Sequence, residues 1–340
     1  MKTTMTGNFP LGEKMPDQRP ASPQETGSPT CSIIIRAYNE AQHIGRLLDG
    51  ICQQTIQDRQ VILVDSGSTD GTLEIAQRYP IEIVHIQPDE FSFGRSLNLG
   101  ISQARSDFIV IASAHVYPVY PDWLERLLAP LQVEKIGLVY GKQCGAANTH
   151  FSEHQIFAHW FPEISNNNQE YPFCNNANAA IRRSLWEQHA YDESLSGLED
   201  LEWARWMIQQ GYRIAYSAEA EIIHVHNETP RGVYNRYRRE AMAFKRIFPQ
   251  ENFYLGDFIR LVSTNIANDL WHAAKQGVLV SSFRSIFWFR WMQFWGTYQG
   301  YRHSGPLTGQ LRRTFYYPRR PETRGQKERN IEPIRYREER

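Results

Sequence analysis

The chain predicts an α/β fold: a mostly parallel, Rossmann-like sheet flanked by helices and followed by a C-terminal helical extension. Three observations carry that expectation. Between residues 31 and 130, short apolar runs alternate with helical periodicity in βαβα order, which implies parallel strands joined by right-handed crossovers. The runs lack polar alternation, as strands do when helices cover both faces of a sheet. One of them, Val61-Ile62-Leu63-Val64, ends in Asp65 and the turn Ser66-Gly67-Ser68-Thr69-Asp70-Gly71-Thr72. That puts an acid at the carboxyl end of a strand, where open parallel sheets bind ligands, and glycines beside it let backbone approach a ligand closely.

Taken in order, residues 1–30 are rich in Pro, Thr, Ser and Gly without periodicity and read as a disordered leader. A strand over 32–36 precedes a helix over 40–54 with Ile44, Leu47, Leu48 and Ile51 on one face. A strand over 60–64, a helix over 72–79 and a strand over 81–85 follow. A helix near 96–104 leads to a strong strand over 107–112 and a helix over 121–128. The order then loosens. After a strand over 136–140 comes a long polar loop holding His150, His154, His159 and Asn166-Asn167-Asn168. A strand over 178–181, helices over 183–188 and 198–210, and strands over 213–216 and 221–225 complete a domain spanning 31–228. Its first half, 31–130, should bind one substrate, and 131–228 should carry catalysis and the second substrate. Helices over 232–247, 255–275 and 283–301 form the extension, 229–310, and a charged tail occupies 311–340.

Composition narrows the function. The 340 residues carry formal net charge +0 and 41% apolar residues, an ordinary globular balance without the basic excess of a nucleic-acid binder. Cys31, Cys52, Cys144 and Cys174 lie far apart, with no C-x-x-C pair, and read as reduced thiols. No signal peptide or long apolar span is evident, so a cytoplasmic location is expected.

Three further segments join Asp65. Ile34-Ile35-Arg36-Ala37-Tyr38-Asn39-Glu40 is a strand ending in a ring able to stack on a base. Val110-Ile111-Ala112-Ser113-Ala114-His115 is an apolar strand ending in a polar cluster, and Gly197-Leu198-Glu199-Asp200 sets acids at a helix start. With Asn98-Leu99-Gly100, Asn178-Ala179-Ala180-Ile181-Arg182-Arg183 and Gly211-Tyr212-Arg213-Ile214 leading to His224, these ordered motifs resemble the nucleotide-sugar-dependent glycosyltransferases of family 2, with the GT-A fold. The resemblance covers roughly residues 31–227.

The resemblance implies an inverting transfer from a nucleoside-diphosphate sugar to a glycan or lipid-linked acceptor. Asp200 would be the general base, with Glu199 orienting it or the acceptor; the plainer reading is that both acids complement a helix dipole. Asp65 would contact the nucleotide base and Tyr38 pack on it. The donor site would draw on Arg36, Ala37, Tyr38, Glu40, Asp65, Ser66, Asp70, Arg95, Asn98, Ser113, Ala114 and His115. Arg36 and Arg95 suit a diphosphate, although Arg95 fits a surface ion pair equally well.

One motif departs from the family. Where Asp-x-Asp usually binds a divalent cation, this chain has Ser113-Ala114-His115. Either His115 ligates Mn²⁺ or Mg²⁺ together with His224, imidazole suiting Mn²⁺ better, or the cation is lost and cationic side chains neutralise the diphosphate. His226 is taken as the weaker candidate ligand, on the expectation that it points away from His224. Acceptor candidates are His154, His159, Trp160, Asn175 and Asn176, in or beside the long loop. Phe283, Ile286, Phe287, Trp291, Phe294, Trp295 and Tyr298 recur at spacings of three and four, punctuated by arginines. They read as a core stripe packed on the catalytic domain or on a partner subunit in a homo-oligomer, or as an interfacial helix contacting the membrane peripherally on its cytoplasmic face. Basic residues in 311–320 would add attraction to anionic lipid. Two rival functions remain: a catalytically inactive nucleotide-sugar-binding scaffold, fed by the Ser-Ala-His replacement, and a sugar nucleotidylyltransferase, disfavoured because no Gly-rich basic loop ends the first strand.

Overall fold

The protein is described by a computed structural model covering residues 28–226, 228–302 and 331–336. Most of the leader and most of the charged tail, with the basic residues at 311–320, lie outside the described residues. Nine strands form one sheet: β1 (Cys31–Ala37), β2 (Arg59–Asp65), β3 (Glu82–His85), β4 (Phe108–Ser113), β5 (Val116–Pro118), β6 (Ile136–Gly145), β7 (Asn166–Gln169), β8 (Asn178–Arg182) and β9 (Arg213–His224). Their order is β3-β2-β1-β4-β8-β6-β9-β5, with β7 added to β9. Strands β1 to β4 are mutually parallel, as the crossovers require. Beyond them β8 runs antiparallel to both β4 and β6, while β6 and β9 are parallel.

The apolar strands are buried on both faces. Ile33 and Ile35 enter one core cluster and Ile34 the opposite one, all at 0% exposure. Burial of such side chains contributes about 1.5–3 kcal/mol each. Helices α1 (Ile44–Cys52), α2 (Thr72–Ala76), α3 (Phe93–Ser102) and α4 (Trp123–Leu128) are the crossovers and covers. Buried Ile44, Leu47, Leu48 and Ile51 form the expected face of α1. Helix α3 begins three residues before its predicted start because Ser92 caps it, its hydroxyl accepting from Arg95 N–H at 3.1 Å.

Two corrections concern the second half. The long loop contains helix α5 (Phe151–Trp160) and β7. Ser152 and Glu153 are buried alongside Phe157, so α5 has no apolar stripe for periodicity to find. The two short strands expected after residue 212 are one strand, β9, whose pairing with β6 slips between Ser217 and Ile222. The polar break in the sequence is a bulge inside a continuous strand.

Helices α6 (Arg183–Gln188) and α7 (Glu199–Gln209) complete the α/β body, and α8 (Pro230–Ile247), α9 (Leu255–Lys275) and α10 (Leu279–Arg302) form the extension with a third core cluster. Helix α10 crosses α8 at backbone contact: a Cβ on Gly296 or Gly300 would lie 2.5 Å from the carbonyl oxygen of Tyr234 or Arg238. Near the C-terminus, Ile334 N–H donates to Val119 O at 2.9 Å, and Tyr336 packs edge-on against Tyr117 at 5.1 Å beside edge strand β5. All four cysteines are unpaired thiols. Among the described residues, no helix is long and apolar enough to cross a membrane.

Candidate active site

The loops after β1 and β2 lock together at the carboxyl edge of the sheet. Asn39, at φ 54, turns the chain sharply, and its N–H donates to Ser68 Oγ at 2.9 Å while its Oδ1 accepts from Thr69 N–H at 2.8 Å. Glu40 N–H donates to Thr72 Oγ1 at 2.7 Å, and Asp70 accepts from the N–H groups of Ala41 and Thr72. Asp70 therefore ties the two loops together. Asp65 lines the same wall, 1% exposed, its oxygens accepting from Gly67 and Ser68 N–H at 3.0 to 3.3 Å. These two backbone donors orient the carboxylate against the wall. Ser66 and Ala37 are joined through the Ala37 carbonyl, while the Tyr38 ring stands 58% exposed above them.

The acids of α7 face this edge. Leu198, a non-glycine residue at φ 57, turns the chain immediately before them. Arg36, at the end of β1, donates to Glu199 Oε1 at 3.0 Å and to Phe93 O at 3.3 Å. Asp200 accepts from Asn176 N–H at 3.2 Å and from Leu201 N–H at 2.8 Å. Burial, and then the adjacent Glu199 charge, push the Asp200 carboxyl up to about 7, although both backbone donors and Arg36 pull the other way. A carboxyl so tuned is suited to accepting a proton near neutral pH.

On the other side of the edge stands a cluster of histidines. Edge strand β5 pairs antiparallel with β9, setting Val116 opposite His224, and Val225 N–H donates to His115 O at 3.0 Å. His115 and His224 consequently stack at 5.1 Å. His226 joins them, 4.0 Å from His224 between ring centroids and 5.9 Å from His115. The expectation that set His226 apart is corrected: residues two apart in extended chain share a face, so His226 falls on the same side as His224. His115 Nδ1 lies 2.8 Å from Glu40 Oε1, and Ser113 Oγ is 3.2 Å from His115 Nε2. Burial holds His224 and His226 below the ordinary histidine range, hence neutral. Their donor chemistry fits a divalent cation: one nitrogen from each ring lies within 4.8 Å of the others, and buried His224 Nε2 has no hydrogen-bond partner among the described residues.

Several expected site residues are scaffold. Arg95 forms the surface ion pairs, with Glu90 at 3.2 Å and Glu193 at 3.7 Å. Asn98 uses its whole amide to tie α3 to the segment before α7, donating to Tyr191 O and Glu193 and accepting from Trp186 Nε1 and Tyr191 N–H. Ala114 is fully buried in the core beneath its neighbours. Trp160 stacks on Phe173 at 4.4 Å, an aromatic packing position. His154 lies half-buried against Gly145, on the histidine side, and His159 packs edge-on against Trp160 at 5.3 Å. Asn175 accepts from Ala177 N–H, whereas Asn176 adjoins Asp200 through its backbone N–H and buries its side-chain amide beside the Tyr191 hydroxyl. Glu153, Gln143 and Arg236, which surround the histidines, carry no sequence signal; only tertiary packing brings them there.

A Rossmann-like sheet with acids, an arginine and a cluster of histidines gathered at its strand ends is the architecture of the GT-A glycosyltransferases. A sequence profile described as glycosyl transferase family 2 matches residues 32–189. The chain is 32% identical over 222 residues, 62% of its length and 70% of the relative's, to the O-antigen chain rhamnosyltransferase WbaN of Salmonella anatum. It is equally 32% identical over 219 residues, 61% and 69%, to the rhamnosyltransferase RfbN of Salmonella typhimurium. The mannosyltransferase PcManGT from Pyrobaculum calidifontis, solved with GDP-Man and Mn²⁺, shares the fold at TM-score 0.53 and 21% identity over 81% of this chain and 85% of its own. The chain belongs to glycosyltransferase family 2 and is a glycosyltransferase enzyme.

Proposed function

We propose that the enzyme transfers a sugar from a nucleoside diphosphate to a hydroxyl of a growing glycan or lipid-linked acceptor, with inversion, and that Asp200 is the general base. The observation that carries this reading is the Asp200 carboxyl, oriented by two backbone N–H groups and raised into the neutral range beside the Arg36–Glu199 pair. The exposed Tyr38 ring offers a stacking face for the nucleotide base, and the locked loops hold that face rigid. Arg36 fixes Glu199 in place beside the base. A divalent cation held by His115 and His224 would supply neutralisation of the charge that develops on the leaving diphosphate. The named activity of the Salmonella relatives makes a nucleotide-linked rhamnose the first donor to try. Titration of UDP-, GDP- and dTDP-sugars by thermal shift is expected to single out one donor, since a ligand at 100 Kd stabilises the folded state by about 2.7 kcal/mol. The product formed from that donor should carry the opposite anomeric configuration by NMR. Retention of configuration, or no stabilising donor among the three nucleotides, overturns the reading.

The extension supports a second part of the proposal, contact with an anionic bilayer surface. From Trp271 to Arg302 the chain has no acidic residue. Trp271, Val280, Phe283, Phe287 and Trp291 are 41% to 94% exposed, with Lys275 and Arg284 exposed among them. Apolar rings fringed by cations match the headgroup boundary of an acidic leaflet. Vesicles containing phosphatidylglycerol are expected to sediment the protein, and neutral vesicles to do so far less. Phe283→Ser/Phe287→Ser should weaken binding roughly tenfold, the effect of losing a part of two aromatic burials. Equal binding by the variant, or a dimer in solution that hides this face, overturns the contact.

A further inference from the structure

We propose that His115, His224 and His226 together form an all-imidazole cation centre that takes Mn²⁺, Co²⁺ or Zn²⁺ in preference to Mg²⁺, with His226 as third ligand. The ion's role in transfer rests on the reading above; the ligand set rests on geometry alone. Each ring has its Nδ1 against an oxygen on a different element. His115 Nδ1 lies 2.8 Å from Glu40 Oε1, His224 Nδ1 2.8 Å from Gln143 Oε1, and His226 Nδ1 2.7 Å from Glu153 Oε1. A neutral imidazole that donates from Nδ1 presents its lone pair at Nε2. Three such outer oxygens therefore fix three tautomers and aim three lone pairs, the arrangement by which proteins orient metal-binding histidines.

The second observation is the orphan. His224 is 5% exposed and its Nε2 meets no donor. An unpaired buried nitrogen destabilises the fold, and an ion at that point relieves the loss. Ser113 Oγ, 3.2 Å from His115 Nε2, occupies that lone pair when no ion does. A neighbouring group, Glu153, His226 and Glu228, also has metal-like spacing. Arg236 sets it apart: its guanidinium pairs with Glu153 at 2.7 Å and with Glu228 at 2.6 Å, so both carboxylates of that group are already engaged, while toward the three histidines it reaches only the far nitrogen of His226, Nδ1, at 3.3 Å. Arg236 instead neutralises Glu153, which is left to hold His226. The three-histidine set contains no carboxylate, so it discriminates against a hard, oxygen-seeking Mg²⁺. Being neutral, it also leaves the full charge of the ion for an anionic partner.

The test titrates Co²⁺ into the full-length protein and reads the visible absorption band, which reports nitrogen ligation without any turnover. One equivalent is expected to bind, Zn²⁺ to displace it, and millimolar Mg²⁺ to leave the band unchanged. His226→Ala should weaken Co²⁺ at least tenfold, and Glu153→Gln, which keeps the ring but loosens its orientation, roughly 10- to 100-fold. Glu153→Gln covers the case in which His226→Ala fails to fold. Undiminished Co²⁺ affinity in both variants, displacement by Mg²⁺, or no band in the folded wild type overturns the centre. Donor binding measured separately distinguishes the two failures: a protein that binds donor and no cation loses this centre but keeps its transferase reading, and the converse result reverses that outcome.

Discussion

Asp200→Asn is expected to lower kcat by about 10²–10⁴-fold, the usual contribution of a positioned general base, while donor binding stays within a few-fold of wild type. The substitution is nearly isosteric and leaves the Arg36–Glu199 pair at 3.0 Å untouched, so loss of rate would report lost proton acceptance. The pH dependence provides a second signature. A base must be ionised, so kcat/KM of the wild type should fall tenfold per unit below about 7, where Asp200 takes up its proton, and level above it. Stability should move in the opposite sense. The folded carboxyl binds its proton more tightly than the unfolded one, so between about pH 4 and 7 the folded state holds more protons and loses stability as pH rises. Asp200→Asn abolishes that slope and should melt no lower than wild type at pH 7.5. An inactive variant that is also unfolded would say nothing about catalysis, and for that reason rate and melting temperature are read on the same sample. Activity within tenfold of wild type would remove Asp200 from the role of base.

The parts of this enzyme that were legible in sequence are those specified by local pattern. Strands β1, β2 and β4 are runs buried on both faces, and such runs have one interpretation once helices flank them. The acids at the start of α7 and the histidine after β4 were legible for the same reason: a strand or helix end places the next residues at the carboxyl edge. What escaped was set by tertiary packing. Helix α5 buries Ser152 and Glu153 because Arg236 and Arg290 come from the extension to meet them, and no local periodicity encodes that. Asp65 and Asp70 have the position that the motif implies, and their oxygens also accept backbone N–H groups, Asp65 from its own turn at Gly67 and Asp70 from both Thr72 and Ala41 of the neighbouring loop. His226 was legible beside His224, because residues two apart in extended chain share a face, and the rings do lie 4.0 Å apart.

Asp269→Ala is the substitution expected to cost most stability, about 3–5 kcal/mol, the price of leaving a buried charge without its partner. Asp269 is 0% exposed and meets Arg290 through two parallel contacts, Nε to Oδ2 at 2.7 Å and Nη2 to Oδ1 at 3.0 Å. The remaining Arg290 donors reach Gln293 Oε1 at 2.9 Å and Ser152 O at 3.2 Å, so one guanidinium fastens α9 and α10 to the start of α5. Removing the carboxylate leaves that guanidinium uncompensated in a site closed to water. Removing both charges together is a different perturbation: Asp269→Leu/Arg290→Met replaces the pair by apolar volume and should recover most of the loss, because the desolvation of two ions disappears with them. The pair also bears on the active site. Ser152 precedes Glu153, the carboxylate that holds His226, so loosening α5 should weaken Co²⁺ binding in Asp269→Ala at temperatures where the protein is still folded, with donor affinity little changed. Urea midpoints of the single and double variants, with cation titrations on both, separate the two consequences. A single-variant cost below about 1 kcal/mol, the size typical of an exposed ion pair, would mean that water reaches Arg290 and that the extension is fastened to the catalytic domain by its apolar contacts alone.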